Sequence, residues 1–207
     1  TRLEWIFADL AVMCAGGATT TVYPSTNSED VAYIISDSGS RFVVAEDAKQ
    51  LAKLLEQRSN IAGVDCVILM DTAGVDPVVR TDSWVITLDD LAARGRTLLA
   101  SDADAVTRAN AAVGPDNLAT LIYTSGTTGK PKGVCHAHAG LIGAARNGCQ
   151  FDGLGPSDDV LSYLPMAWVG DNLFSYAQAM VAGFTVNCPE SRETVMTDLR
   201  EIGPTYY

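Results

Sequence analysis

The sequence predicts an α/β fold, a mostly parallel β-sheet flanked by helices, and three observations carry that expectation. Short apolar runs rich in β-branched residues recur along the chain. Amphipathic helical stretches fall between them, and the junctions carry Gly, Pro or capping residues. Alternation of this kind builds parallel β-α-β units with right-handed crossovers.

The elements follow in order. Glu4 to Leu10 reads as the middle of a helix. Ser28 is placed to cap the next one, with Glu29 and Asp30 in its first turn, where they complement the helix dipole. Val31, Ile34 and Ile35 mark its inward face, and Gly39 sits where it should stop. Phe42 to Ala45 is a strand, residues 46–57 a helix, and Cys66 to Met70 a strand with the composition of one buried on both faces. Residues 71–82, with Gly74 and Pro77, form an exposed connection before a helix over 88–99. Residues 101–117, closing on Gly114-Pro115, read as a polar linker. Leu118 to Tyr123, Val160 to Leu164 and Phe184 to Cys188 are further strands. Leu173, Phe174, Ala177, Met180 and Val181 make a helical stripe that ends at Gly183. Ser191 opens a last helix with Val195, Met196, Leu199 and Ile202 inward, and Pro204 to Tyr207 begins a strand. The chain divides into a first set of β-α units over 1–100, the linker 101–117, and a second set over 118–207.

Composition narrows the function. With 47% hydrophobic and 19% charged residues in 207, the chain has enough apolar surface to bury a core. Fourteen basic against 25 acidic residues leave a net charge of −11, which excludes a nucleic-acid groove built on phosphate neutralisation. The five cysteines are scattered, odd in number and form no Cys-x-x-Cys pair, so a reduced, cytoplasmic protein is expected. The longest apolar and glycine run, Leu10 to Ala18, is too short for a membrane span of about 20 residues, and no signal peptide opens the chain. Thr1 and Tyr207 both cut through what read as regular elements, so the chain is expected to be a piece of a longer protein.

The chemistry lies after the strand Leu118 to Tyr123. Thr124-Ser125-Gly126-Thr127-Thr128-Gly129-Lys130-Pro131-Lys132-Gly133 holds three glycines, four hydroxyls and two lysines, and no acid. Gly126, Gly129 and Gly133 permit positive φ and close approach of backbone to a ligand. The hydroxyls can donate to phosphate oxygens or ligate magnesium, and Lys130 and Lys132 add positive charge. A strand running into such a loop suits a polyphosphate. Two common nucleotide motifs fail. A Walker A loop from Gly126 would need Gly at the position of Pro131, and after Gly153-x-Gly155 a Rossmann loop would need Gly where Asp158 stands.

Thr124 to Gly133 instead resembles the signature of the adenylate-forming superfamily, Thr-Ser-Gly-Thr-Thr-Gly-x-Pro-Lys-Gly, with every specified position met. The resemblance covers nearly the whole chain. Trp5 through Pro24 is similar to the family segment where a helix enters a strand ending in Tyr-Pro. Ala32-Tyr33-Ile34 and Asp37-Ser38-Gly39 resemble the following helix of long-chain acyl-CoA synthetases. Leu164-Pro165-Met166-Ala167-Trp168 resembles the family's Leu-Pro-Leu-x-His turn beside the acyl pocket, with Trp168 where His is common. The resemblance therefore implies an incomplete part of the large N-terminal domain of an acyl-CoA synthetase-like fold, most like a bacterial long-chain fatty acyl-CoA synthetase.

It also implies the activity and the site. A carboxylate attacks the α-phosphorus of ATP to give an acyl-adenylate and pyrophosphate, and a thiol, usually that of coenzyme A, then attacks the acyl carbon. Thr124, Ser125, Gly126, Thr127, Thr128, Gly129, Lys130 and Lys132 would bind the nucleotide, with catalytic roles for Lys132 and Thr128. Lys130 falls on the variable position of the signature. Mg2+ would accompany ATP, a fatty acid would be the substrate, and no resident metal site is expected. Trp168 would either contact the acyl chain or serve as a core aromatic.

His136 and His138, at i and i+2, would share a strand face in a structural role, and Asp171 and Asn172 would cap a helix. Adenine- and ribose-binding motifs and the lid lysine would lie beyond Tyr207, so these residues alone are expected to be inactive, with bare sheet edges open to oligomers or strand exchange. Contact with a membrane surface stays open. An acyl-AMP ligase or adenylation domain that loads a carrier protein, and a non-catalytic nucleotide-binding module, are the alternative readings.

Overall fold

The computed structural model describes residues 2–81, 83–124 and 129–207, and of Arg80 the backbone alone. Its first half runs α1 (Leu3–Cys14), β1 (Thr19–Thr20), α2 (Ser28–Ser38), β2 (Phe42–Ala45), α3 (Ala48–Glu56), β3 (Cys66–Leu69), β4 (Val85–Thr87), α4 (Leu88–Ser101) and α5 (Ala105–Ala111). The second half runs β5 (Leu118–Thr124), β6 (Lys132–Ala137), α6 (His138–Asp152), β7 (Asp159–Leu161), α7 (Val169–Asp171), a π-helix (Asn172–Ala177), α8 (Gln178–Ala182), β8 (Thr185–Asn187) and α9 (Val195–Ile202). This is a mixed α/β architecture.

Among the described residues the strands form three small sheets in place of one. β2-β3-β4 and β7-β8 are parallel throughout, whereas β1-β5-β6 joins one parallel and one antiparallel pair. Apart from β5 and β6, no strand exceeds four residues, which gives each few ladder positions through which to recruit further neighbours. β3 sits between β2 and β4 and is buried along its whole length, and its side chains face helices and connections on both sides. β2, at the edge, alternates exposed and more buried positions, with Phe42 and Val44 outward.

The main core is apolar and contiguous: Leu51 and Leu54 from α3, Val31, Ala32 and Ile35 from α2, Val67 and Leu69 from β3, and Val85 from β4. Trp84 joins it, with its indole N–H donating to the Val64 carbonyl at 2.9 Å and the Arg58 guanidinium 4.5 Å from its ring centroid. Among the described residues no helix is long and apolar enough to cross a membrane.

Local chemistry sets the helix ends. Asn27, not Ser28, caps α2: its side chain accepts from the Asp30 N–H at 2.8 Å, one residue earlier than expected, and Gly39 closes the helix in the left-handed region at φ 67°. Asp47 caps α3 and Thr87 forms a reciprocal capping box with Asp90 at the start of α4.

Several expectations change. Residues 101–117 hold the helix α5, beginning after Asp104, where the polar composition suggested only a linker. Asp171 and Asn172 cap nothing; both are buried inside a helical run that opens with α7 and passes through a π stretch. Ser191 starts a turn held by Thr194, and α9 begins four residues later than expected at Val195. Its supposed inward face is not buried: Met196 is 58% exposed and Val195 and Leu199 are only half-buried.

The burial of β3 yields a direct test. In the full-length protein, Leu69→Ala, at a position with no exposed surface, should lower the unfolding free energy by about 2–5 kcal/mol in urea denaturation. A loss below about 1 kcal/mol would mean that β3 is not the centre of this core.

Candidate functional site

The conspicuous loop lies between two paired strands. β5 and β6 are antiparallel, with Tyr123 opposite Gly133 and Thr124 opposite Lys132. The sequence suggests a strand feeding a loop, and the structure adds that the chain returns at once as a strand. Residues 124 and 129–132 thus lie at the same end of the strand pair. Ser125, Gly126, Thr127 and Thr128, expected to line the phosphates, lie outside the described residues. Thr124, Lys130 and Lys132 are exposed at the hairpin end, and the Thr124 hydroxyl reaches the Lys132 carbonyl at 3.5 Å. Gly129 takes φ 143°, in the region that favours glycine.

Gly133 has a different reason from the one expected. Its φ is not positive; a side chain there would collide with the Tyr123 ring, since a Cβ would lie 3.0 Å from Tyr123 Cζ. The ring covers Gly133, and its phenol donates to Asp37 Oδ2 on α2 at 2.7 Å. Burial, then the neighbouring Asp37, push the Tyr123 phenol well above its ordinary range, so it remains a donor at neutral pH. Lys130 Nζ sits 4.7 Å from the Tyr33 ring centroid on the same helix, within cation–π range. Beside the hairpin, a cavity of about 380 Å³ is lined by Thr21, Tyr23, Ser25, Asp30, Tyr123 and Thr124, among others. Hydroxyl-bearing residues share these walls with apolar Val22, Ile34 and Pro131.

A second group of polar residues anchors the segment after β7. Asp171 is buried and accepts from Ser162 Oγ at 2.7 Å and Ser175 Oγ at 2.8 Å. Burial pushes its carboxyl above the usual range, while those hydroxyls pull it down. Tyr176 donates to Asp9 Oδ2 of α1 at 2.6 Å, and its ring meets Trp5 edge to face at 5.6 Å. Asp9 is likewise pushed up by burial, against the neighbouring Thr19 and Tyr176 hydroxyls and His138. These bonds fix one face of the helical run. On other positions of the same run, Trp168, Val169 and Phe174 stand exposed. Trp168 is 51% exposed among the described residues.

The histidines do not share a strand face. His136 pairs with Thr120 in the β5–β6 ladder, whereas His138 opens α6, because β6 ends at Ala137. His138 borders a small cavity of about 30 Å³ with Tyr176 and Asn172, and its Nε2 is buried without a hydrogen-bond partner. Among the described residues no group of three or more His, Cys, Asp or Glu is placed to hold a metal ion.

Sequence reasoning missed three participants here: Asp37, Asp9 and Asp171. Asp37 offered a signal, since it stands four residues from Tyr33 on one helix face. Asp9 and Asp171 offered none, because their partners are 167 residues away in the first case and set by burial in the second.

Comparison with known proteins follows this geometry. A family model described as "AMP-binding enzyme" matches residues 1–207. The chain is 28% identical over 210 residues to the long-chain-fatty-acid–CoA ligase ACSBG1 of Rattus norvegicus, with 98% of this chain aligned. It spans 28% of that relative's length. The fold also matches the crystal structure of the anthranilate CoA ligase AuaEII in complex with anthranoyl-AMP, with a TM-score of 0.76 at 17% identity, over 99% of this chain and 37% of that one. ATP-bound MatB from Rhodopseudomonas palustris matches with a TM-score of 0.62 at 21% identity, over 97% of this chain and 36% of that one.

Two measurements follow. Gly133→Ala should destabilise the full-length protein by about 1–3 kcal/mol, the range for overpacking a tight site. Combined with Tyr123→Leu, which removes the ring it strikes, the cost should be clearly less than additive; additive costs would place the constraint on Gly133 elsewhere.

The second concerns pH. Asp9 has a folded pKa above its unfolded value near 3.9, so the folded state holds a proton that the unfolded state has lost. Its contribution to stability is therefore present at low pH and lost as pH rises through the folded pKa. The stability of the wild type relative to Asp9→Asn should fall as pH rises above about 4, the ordinary Asp value. A flat or rising difference in denaturation experiments would contradict the assignment.

Proposed function

The chain belongs to the AMP-binding enzyme family, and from that membership we propose that the full protein activates a long-chain fatty acid with ATP and transfers it to coenzyme A. The observation that carries the reading is the β5–β6 hairpin, which brings Thr124, Lys130 and Lys132 to one end, beside a cavity whose mixed walls include Thr21, Ser25 and Thr124.

In the first half-reaction a carboxylate oxygen bonds to the α-phosphorus of ATP as the bond to pyrophosphate breaks. Both reactants are anions, and charge accumulates on the departing pyrophosphate. The chain's task is therefore to orient the two and to offset that charge, with no protein nucleophile required. Lys132, exposed at the start of β6, is the catalytic cation that faces this charge. Thr128 contributes a hydroxyl. Thr124, Ser125, Gly126, Thr127, Gly129 and Lys130 complete the phosphate-binding set. Magnesium takes oxygen ligands, a type the Thr124 hydroxyl and the nucleotide's phosphates both supply. When bound, it would further neutralise the polyphosphate.

The substrate reading rests on the other face. Trp168, Val169 and Phe174 expose apolar surface on the helical run that Asp171 and Tyr176 anchor, and curated relatives such as the rat ligase are named for long-chain fatty acids. An apolar wall of this kind suits an alkyl chain better than a small polar acid.

In the full-length protein, Lys132→Ala should slow acyl-adenylate formation at least tenfold, since one preorganised donor to developing charge is typically worth about 2.7–4 kcal/mol. Fatty-acid-dependent exchange of pyrophosphate into ATP reads this step directly. A near-normal exchange rate would refute the role given to Lys132.

A further inference from the structure

We propose that Tyr33 and Asp37, on α2 and outside the signature loop, are positioning residues for the nucleotide step, holding the two ends of the loop on one rigid helix face. The proposal rests on the reading of that loop as the grip on ATP's phosphates. Tyr33 and Asp37 are four residues apart and so lie on the same face of α2. Asp37 receives the Tyr123 hydroxyl at 2.7 Å, immediately before the loop opens. Tyr33 seats the Lys130 ammonium 4.7 Å from its ring centroid, just before the loop closes into β6.

The platform itself is firm. α2 is capped at Asn27, closed at Gly39, and buries Val31, Ala32, Ile34 and Ile35. Ser36 adds a bond to the Asn60 carbonyl at 3.1 Å. Groups fixed to such an element lose less freedom when a ligand binds than groups held only by their strands. The Lys130 side chain sits at the variable position of the loop, and its place on Tyr33 gives it a defined site instead of a mobile one.

This arrangement affects ATP more than the fatty acid, which a general loss of stability would not do. In the full-length protein, Tyr33→Leu should raise the KM for ATP about threefold to tenfold, the scale of one exposed-to-partly-buried cation–π contact. The KM for the fatty acid and kcat should stay within about twofold. Tyr33→Phe keeps the ring face and should restore the wild-type value. Lys130→Ala removes the same ring contact along with the charge, so adding Tyr33→Leu to it should cost nothing further.

Asp37→Asn, which keeps an acceptor for the Tyr123 hydroxyl, should likewise be milder than Asp37→Ala. If Tyr33→Phe is as impaired as Tyr33→Leu, or if the Tyr33 and Lys130 effects add, the proposal is wrong while the phosphate reading stands. If Lys132→Ala leaves pyrophosphate exchange intact in the same assay, the phosphate reading fails and this proposal falls with it.

Discussion

The phenol of Tyr123 and the carboxylate of Asp37 meet at 2.7 Å across 86 residues of sequence, and the arrangement of the site depends on that contact. Tyr123 ends the buried part of β5; its ring leaves little room for a side chain at 133 on the facing strand. One side chain thus fixes three things together: the close approach of β5 and β6, the tight fit at Gly133, and the docking of the hairpin on α2. The interaction is strong for a reason beyond its length. The acceptor is a carboxylate, so the bond is charge-assisted, and partial burial removes competing water.

A different device holds the second half of the site. Two buried carboxylates, Asp9 and Asp171, accept from hydroxyls instead of cations. Hydroxyl donors offset part of the desolvation of a carboxylate, and burial still raises both groups above the usual range. Polar bonds that cost stability and still fix geometry suit a segment whose opposite positions must stay exposed. With Asp171 and Tyr176 anchored inward, the helical phase leaves Trp168 and Phe174 outward. A wholly apolar interior on the same run would allow it to rotate or slide by a fraction of a turn with little penalty.

Most of this architecture was legible from sequence where a local rule sufficed. Phe42–Ala45 and Cys66–Leu69 announce strands because four apolar residues in a row, half of them β-branched, have few other uses. The stop at Gly39 follows from the need for positive φ. The signature loop was legible as chemistry, since its hydroxyls, glycines and lysines make sense only together. What escaped obeys tertiary demands. Helix α6 carries Gly140, Gly143 and Gly148, which depress helix propensity. A side chain at the last would meet the amide of fully buried Gln178, which would have to shift. β4 is three residues long, too short to show a period, and is placed by its register against Val67 to Leu69. Ser28 and Asn27 are equally good caps by type, and which one serves depends on backbone entry angle.

Electrostatics explains why held geometry matters so much here. The chain carries a net charge of −11, and its proposed nucleotide is itself a polyanion, so the overall field opposes approach. At physiological ionic strength that field is screened beyond about 8 Å, whereas backbone N–H groups, hydroxyls and lysines act at contact distance. Affinity is then confined to the few ångströms around the hairpin end, where Lys130 and Lys132 supply positive charge without an acid in the loop to cancel it. Contact-range attraction falls steeply with misplacement, unlike the long-range steering that a basic surface would provide. A protein that captures an anion in this way needs its donors in place beforehand, and a loop gripped at both ends by one well-packed helix meets that need.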